Sequence, residues 1–256
     1  MLTCMDRLGI IDTESARFAA ALAGADPDGR CPTCPDWTAA DLLWHLTEVH
    51  FFWAEILARR AISEDALPGI EASKPQRPND IADMLTVREE ATAQLLRQLA
   101  EREDAEPCWS WWPPDQTVGF TRRMQTYEAT MHRVDAQLTA GLPVTPPAAD
   151  VAAGAVDHAV DVMWGWLPDG ASYEPAEVVQ FIATDIERHW LVEVGSWRAR
   201  DGSTWPRAVR ADCGAPSSTI SAPVADLALW AWTRGGTVRR SAESATVDAL
   251  LAAGMQ

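Results

Sequence analysis

Positive charge is scarce in this sequence. Lys and Arg number 21 against 37 Asp and Glu, so the formal net charge is −16 at pH 7. The isoelectric point calculated from the sequence is about 4.6. Nucleic acids and anionic membrane surfaces both require a basic binding face. We therefore expect neither as a partner, and an anionic substrate would need a local cluster of arginines.

Long hydrophobic runs are also missing. No stretch of about 18 consecutive apolar residues occurs, which argues against a membrane-spanning helix. The first residues, MLTCMDRLGIIDTESARFAAAL, do not show the basic segment followed by an apolar core that marks a secretory leader. We therefore expect a cytoplasmic protein.

Cysteine is infrequent, and its count is odd. The five cysteines are Cys4, Cys31, Cys34, Cys108 and Cys213, and their irregular spacing favours reduced thiols over a disulfide framework. The CxxC pair in CPTCPDW is typical of half a zinc site or of a thioredoxin-like redox motif. No second CxxC occurs, and no strand that would indicate a thioredoxin fold precedes the pair. We interpret Cys34 as a structural residue at the start of a helix.

The first two thirds of the 256 residues have helical patterning, with apolar residues three and four apart. Thr38 and Asp41 form a predicted capping box, and Asn79 is the predicted cap of the third helix. Gly141 and Pro143 end the fourth helix. The predicted helices cover 5–23, a segment from Thr38 to 60, 80–103, 121–140 and 149–167, with loops at 65–79 and 105–120.

The pattern changes after Pro168. The segments 177–185, 188–197 and 207–214 are short, rich in β-branched or aromatic residues and separated by turn signals, which predicts strands. A strand that turns into a helix at Ser221 and a closing helix over 244–256 follow. The fold class is therefore α+β with two domains: a helical bundle over 1–168 and a smaller α+β domain over 171–256.

Tryptophan, by contrast, is abundant, with 13 residues. Trp109, Trp111 and Trp112 lie together in the Pro-rich loop CWSWWPPDQ. Three large aromatic rings in a loop could wall a pocket or pack against the helices. The sequence leaves both interpretations open.

Glu128 and His132 lie four residues apart in QTYEATMHRVDAQLTAGLP, and Asp135 follows three residues later. On a helix, this spacing puts a carboxylate and an imidazole on the same face about one turn apart. Helical phase places His45 inside the apolar arc of the second helix and His50 at its edge. A set of His45, Glu128 and His132 would leave an open position on a metal, as catalytic zinc sites require. The spacing is also compatible with a solvated helix face, and His45 with a hydrogen-bonded core histidine.

Three segments carry a family resemblance. CPDWTAADLLWHL, residues 34–46, resembles the start of the second helix in the maleylpyruvate isomerase family of mycothiol-dependent enzymes, which belong to the wider DinB-like metal-binding bundles. YEATMHRVDA, residues 127–136, resembles the metal-binding helix of that family. VADLALWAWTRGG, residues 224–236, is similar to the C-terminal domain that often follows.

The resemblance implies a DinB-like four-helix bundle followed by a smaller C-terminal α+β domain. It implies that His45, Glu128 and His132 hold a divalent metal, usually zinc, and that mycothiol is the thiol cosubstrate. A thiol bound to such a metal would be deprotonated near neutral pH, which makes it a strong nucleophile. Asp135 would either support this site or pair with Arg133.

Arg234, in LWAWTRGG, matches a basic position of the family's C-terminal domain. It is the candidate catalytic residue, which would bind a substrate carboxylate through a bidentate fork. An arginine at the end of a helix beside Gly235 is equally explained by the helix dipole. Arg88, Arg207 and Arg210 are further candidates without motif support.

The sequence therefore predicts a thiol-dependent metalloenzyme, an isomerase or thiol transferase of the maleylpyruvate isomerase type, acting on a small carboxylated molecule. The alternative enzyme is a metal-dependent hydrolase in which the open position activates water. A third possibility is a non-catalytic protein that binds a metal or a small molecule.

Overall fold

The structure, a computed structural model, describes residues 5–254. It has the predicted α+β architecture and divides into two compact units, Met1–Thr145 and Pro146–Gln256. No helix within the described residues is long and apolar enough to cross a membrane.

Unit 1 is a four-helix bundle. Its long helices are α1 (Arg7–Leu22), α2 (Ala39–Ala58), α4 (Ile81–Ala100) and α5 (Val118–Thr139). The helix α1 packs mainly against α5, and α2 packs mainly against α4. A 3-10 turn, Glu64–Ala66, and a short helix α3, Leu67–Glu71, lie in the stretch that we predicted as a loop.

Side-chain caps fix where the bundle helices begin. The Thr38 and Asp41 capping box at α2 is confirmed, because each side chain accepts a hydrogen bond from the backbone of the other. The cap of α4 is Asp80 and not Asn79, since the Asp80 carboxylate accepts from Ala82 N. The helix α5 begins at Val118, three residues before the predicted start, because Thr117 accepts from Phe120 N.

A short hairpin that the sequence did not predict precedes α2. Strands β1 (Arg30–Cys31) and β2 (Cys34–Thr38) pair antiparallel around a two-residue turn. Cys34 therefore begins a strand and does not lie at the start of the helix. Two strands this short carry no alternating pattern that could reveal them.

The Trp-rich loop packs against the bundle. The Trp109 ring is stacked on Trp53 of α2 with 5.9 Å between ring centroids. The Trp111 ring meets the Phe120 ring edge-on, and its indole nitrogen contacts the sulfur of Met124. Of the two interpretations for this loop, the structure shows packing for Trp109 and Trp111.

Unit 2 contains a five-stranded sheet with helices beside it. The elements in chain order are α6 (Ala149–His158), a π-helical turn (Ala159–Met163), β3 (Ser172–Ala183), β4 (Arg188–Arg198), β5 (Thr204–Arg210), β6 (Ser218–Ala222), α7 (Val224–Ala231), β7 (Arg239–Arg240) and α8 (Ala245–Ala252). In the sheet, the strands occur in the order β5-β4-β3-β6-β7, and every neighbouring pair is antiparallel except β3 with β6.

The division between the units lies earlier than the boundary at 168–171 that we expected from the sequence. The helix α6 belongs to unit 2 because it packs against α7. The Trp232 indole donates a hydrogen bond to Ala155 O, and the His158 ring is stacked on Trp232. Helical patterning identified α6 but not the element on which its apolar face packs.

Candidate metal centre

Three of the predicted site residues meet between α2 and α5. His45 comes from α2, whereas Glu128 and His132 come from α5. Each offers one ligand atom, and these atoms all lie within 4.8 Å of one another. A divalent ion between them would be within reach of two imidazole nitrogens and one carboxylate oxygen.

His132 lies between two carboxylates. Its Nε2 is 3.2 Å from a Glu128 oxygen, and its Nδ1 is 2.9 Å from Asp135 Oδ2. Burial by itself would lower the pKa of His132, but the hydrogen bonds and negative charges of Asp135 and Glu128 outweigh it and raise the pKa to about 9. Without a metal, His132 is therefore a cation at neutral pH, and a divalent ion would take the place of its Nε2 proton.

His45 has the opposite electrostatic character. Burial and the positive charge of His132 lower the pKa of His45 to about 4. Its ring lies 4.5 Å from the Trp37 ring and 5.0 Å from the His132 ring, both measured between centroids. His45 therefore presents a neutral imidazole with a free lone pair at neutral pH, which is the form that binds metals.

Asp135 supports His132 and is fully buried. While Oδ2 contacts His132, Oδ1 accepts a hydrogen bond from the Thr33 hydroxyl at 2.5 Å. Arg133, the other partner considered for Asp135, instead contacts Glu14 through Nε at 2.5 Å. Metal-binding histidines commonly donate their second ring N–H to a carboxylate in this way. The sequence did not indicate Thr33, because this residue lies on the unpredicted β1–β2 hairpin, about 100 residues before Asp135.

The helical phase assigned to His50 was wrong. His50 does not lie at the edge of the buried arc but is fully buried, with Nδ1 3.2 Å from the Thr92 hydroxyl on α4. Burial and the nearby Arg88 cation hold its pKa well below the usual range, so it is neutral. The buried side of α2 is wider than its most apolar stripe because α2 contacts α4, α5 and the hairpin. His50 is not among the three residues that meet at the site.

Each arginine candidate contacts residues of its own unit. Arg234 is buried just after α7, and its Nη1 donates to Trp232 O at 2.7 Å. Arg88 is buried in the bundle and donates to Leu46 O and to Ser15. In unit 2, Arg207 lies over the Tyr173 ring, and Arg210 forms ion pairs with Asp157 and Asp161.

The donor set fits zinc. Zinc is commonly held by two histidines and one carboxylate, with a further position left for an exchangeable ligand. The His132 side chain is buried, while the Glu128 side chain is 24% exposed, so one side of the group is accessible from solvent.

The sequence matches the family model of the mycothiol maleylpyruvate isomerase N-terminal domain over residues 8–137, just over half of the 256-residue chain. No curated protein matches the chain. Among solved structures, the mycothiol-dependent maleylpyruvate isomerase has 15% identity and a TM-score of 0.59, and a point mutant of such an isomerase has 14% and 0.61. Both alignments cover 94% of each chain, and at this identity they show a shared fold.

Proposed function

The chain belongs to the family defined by the mycothiol maleylpyruvate isomerase N-terminal domain, and on that premise we propose that it is a metal-dependent enzyme that uses mycothiol as its thiol cosubstrate. The proposed reaction is isomerisation of, or thiol transfer to, a small carboxylated molecule. The observation that carries the proposal is the meeting of His45, Glu128 and His132, with ligand atoms within 4.8 Å of one another.

Each of these residues has a distinct part. His45 supplies a neutral nitrogen, because its pKa is lowered to about 4. Glu128 supplies negative charge, and His132 would give up its Nε2 proton while Asp135 keeps the ring oriented through Nδ1. A bound zinc ion would supply a Lewis acid that lowers the pKa of a thiol.

The charge of the site favours a thiol over a neutral ligand. Two neutral imidazoles and one carboxylate would leave one positive charge among the direct ligands of a divalent cation, which would attract a thiolate, while the buried Asp135 carboxylate balances that charge from the far side of His132. Thiolates are also the soft ligands that zinc binds well. A thiol that approached from the exposed side of Glu128 would therefore bind in its reactive, deprotonated form.

Arg234 is the proposed residue for the substrate carboxylate. The support is its match to a basic position in the C-terminal domain of the family. A guanidinium can hold a carboxylate through two parallel hydrogen bonds, whereas a lysine offers only a point charge. Arg234→Lys should therefore raise KM for the carboxylated substrate more than it lowers kcat, as steady-state kinetics would show.

The proposed function is tested with cobalt, whose spectrum reports its ligands. Mycothiol added to the cobalt-substituted protein should produce a sulfur-to-metal charge-transfer band, because a thiolate occupies the open position. Glu128→Gln should weaken the band, whereas Cys34→Ser is the control that should leave it intact. If mycothiol at saturation left the spectrum of the cobalt-loaded protein unchanged, the thiol-dependent function would be rejected.

Turnover is the second part of the test. Isomerisation of maleylpyruvate, followed with and without mycothiol, should require both the thiol and the metal. His132→Ala should abolish the activity together with stoichiometric zinc, as measured by elemental analysis. Full metal content in that variant would contradict the proposed ligand set.

A further inference from the structure

The CxxC pair lies at the ends of the turn in the β1–β2 hairpin. Cys31 ends β1, Cys34 begins β2, and the two are direct partners across the hairpin. Residues that flank a two-residue turn have Cα atoms within about 7 Å, and disulfides bridge Cα separations of about 4.4–6.8 Å. The backbone therefore already holds the two residues at a separation compatible with a disulfide.

Both residues are reduced cysteines in the structure, and their side chains interact with each other. A hydrogen bond from the Cys34 thiol is the main cause of a lowered pKa for Cys31, which increases its thiolate fraction. Both side chains are buried, but Pro32 in the turn is exposed and β1 has only two residues. Local opening of this turn would give a small oxidant access to the sulfurs.

A chain of hydrogen bonds links the pair to the candidate metal centre. Cys31 Sγ is 3.3 Å from the Thr33 hydroxyl, which is 2.5 Å from Asp135 Oδ1, and Asp135 Oδ2 is 2.9 Å from His132 Nδ1. The Thr33 hydroxyl has one proton, and the carboxylate is the stronger acceptor. The Thr33 hydroxyl therefore donates to Asp135, and its oxygen lies against the Cys31 sulfur.

We propose that Cys31 and Cys34 are a redox-active dithiol that a hydroperoxide converts to an intrachain disulfide, and that this oxidation weakens metal binding at His132 through Thr33 and Asp135. The disulfide itself goes beyond the proposed function, whereas its effect on the metal rests on it. Closing the S–S bond, which is about 2.05 Å long, shifts Cys31 Sγ toward Cys34 and out of its present contact with the Thr33 oxygen. Asp135 then loses part of the contact that fixes its carboxylate against His132.

The oxidation balances with hydrogen peroxide as the two-electron oxidant. The Cys31 thiolate attacks one peroxide oxygen, forming a sulfenic acid and releasing hydroxide, which takes up the proton lost from Cys31. The Cys34 sulfur then attacks the sulfenic sulfur, and the S–S bond forms as water leaves. In total, two thiols lose two protons and two electrons, and the peroxide becomes two waters. The disulfide closes a very short loop, which constrains the unfolded chain little, so we expect it to be readily reduced.

The first experiment maps the disulfide in metal-free protein. The exposed Cys213 is replaced by serine to prevent disulfides between chains. After brief exposure to hydrogen peroxide, alkylation and peptide mass spectrometry should show Cys31 joined to Cys34, and dithiothreitol should restore both thiols. If both cysteines remained fully alkylated under conditions that oxidise Cys213 in the unmodified protein, the proposal would be overturned.

The second experiment measures the coupling. Oxidised protein should bind zinc roughly three- to tenfold more weakly than reduced protein, below the 10–100-fold loss typical of removing a residue that supports a ligand. Thr33→Val is the matched control, because it should still form the disulfide but show less than about a twofold difference between its two redox states. Equal zinc affinity of the reduced and oxidised Cys213→Ser protein would overturn the coupling.

The two experiments separate this inference from the proposed function. A reduced protein without zinc affinity would reject the metal site and the coupling together, while peptide mapping would still decide whether the disulfide forms. A missing disulfide in a protein that binds zinc would reject the dithiol and leave the proposed function intact.

Discussion

Replacing Asp135 by asparagine tests how the candidate site positions His132. The amide oxygen can still accept from His132 Nδ1, now 2.9 Å from a carboxylate oxygen, and the Thr33 hydroxyl can rotate to accept from the amide nitrogen. The variant therefore keeps the shape of the network and removes its charge. Asp135 is fully buried, so water does not compensate for that loss.

The magnitude follows from the kind of hydrogen bond that is lost. A bond to a charged group contributes about 1.5–3 kcal/mol, and a neutral one about 0.5–1.5 kcal/mol. The midpoints of these ranges differ by about 1.3 kcal/mol, which corresponds to roughly tenfold weaker zinc binding. This lies at the lower end of the 10–100-fold losses seen when the supporting partners of metal ligands are replaced.

Proton competition partly masks this loss at neutral pH. The Asp135 charge also stabilises the imidazolium form of His132, whose pKa is raised to about 9, so Asp135→Asn lowers that pKa. At neutral pH, a smaller fraction of His132 is therefore protonated in the variant. Protons compete less with zinc for Nε2, which offsets part of the lost affinity. Most of the tenfold loss should appear near pH 9, where His132 is only about half protonated in the unmodified protein and is deprotonated to a greater extent in the variant.

The assay is competition for zinc with a chromophoric chelator, performed near pH 7 and near pH 9. Glu90→Gln removes an exposed carboxylate from α4 and is the matched control, which should bind zinc as the unmodified protein does. If Asp135→Asn bound zinc within twofold of the unmodified protein near pH 9, the positioning role of Asp135 would be refuted.

Three further predictions follow from the described contacts. Zinc affinity should rise about tenfold per pH unit between roughly pH 6 and 8. Below the His132 pKa of about 9, zinc binding must release one proton from that residue. An affinity that did not change with pH in the chelator assay would contradict this. His50→Ala should cost about 2 kcal/mol of unfolding free energy in urea denaturation, because it leaves a buried cavity and removes the contact with the Thr92 hydroxyl. The variant should retain full zinc content, and loss of the metal would contradict the ligand set. Gly141→Ala should cost about 1 kcal/mol of unfolding free energy, because Gly141 has φ +65° at the end of α5. Gly24→Ala is the control and should be nearly neutral, because Gly24 has open space around it and no positive φ. Equal changes in the urea midpoint of the two variants would refute the backbone argument.

Much of the fold could be predicted from local sequence patterns. The four bundle helices, the Thr38 capping box and the change to strands after Pro168 each depend on residues close together in the chain. The cap of α4 was misplaced by one residue, at Asn79 instead of Asp80, and the start of α5 by three residues, because several polar residues near each start could have served as the cap. The β1–β2 hairpin was missed because its strands are too short to show a period.

The sequence by itself determined which residues of α5 share a face, since the spacing of Glu128, His132 and Asp135 fixes their positions on a helix. It also supplied His45 through the family resemblance. Only the tertiary structure decided that His45 reaches the α5 pair while His50 is buried against Thr92, because helix phase does not specify which neighbour each face meets. The same is true of Thr33 and Asp135, about 100 residues apart, whose contact exists only because the hairpin packs against α5. Local periodicity determines the elements, but the contacts between them depend on packing over the whole bundle.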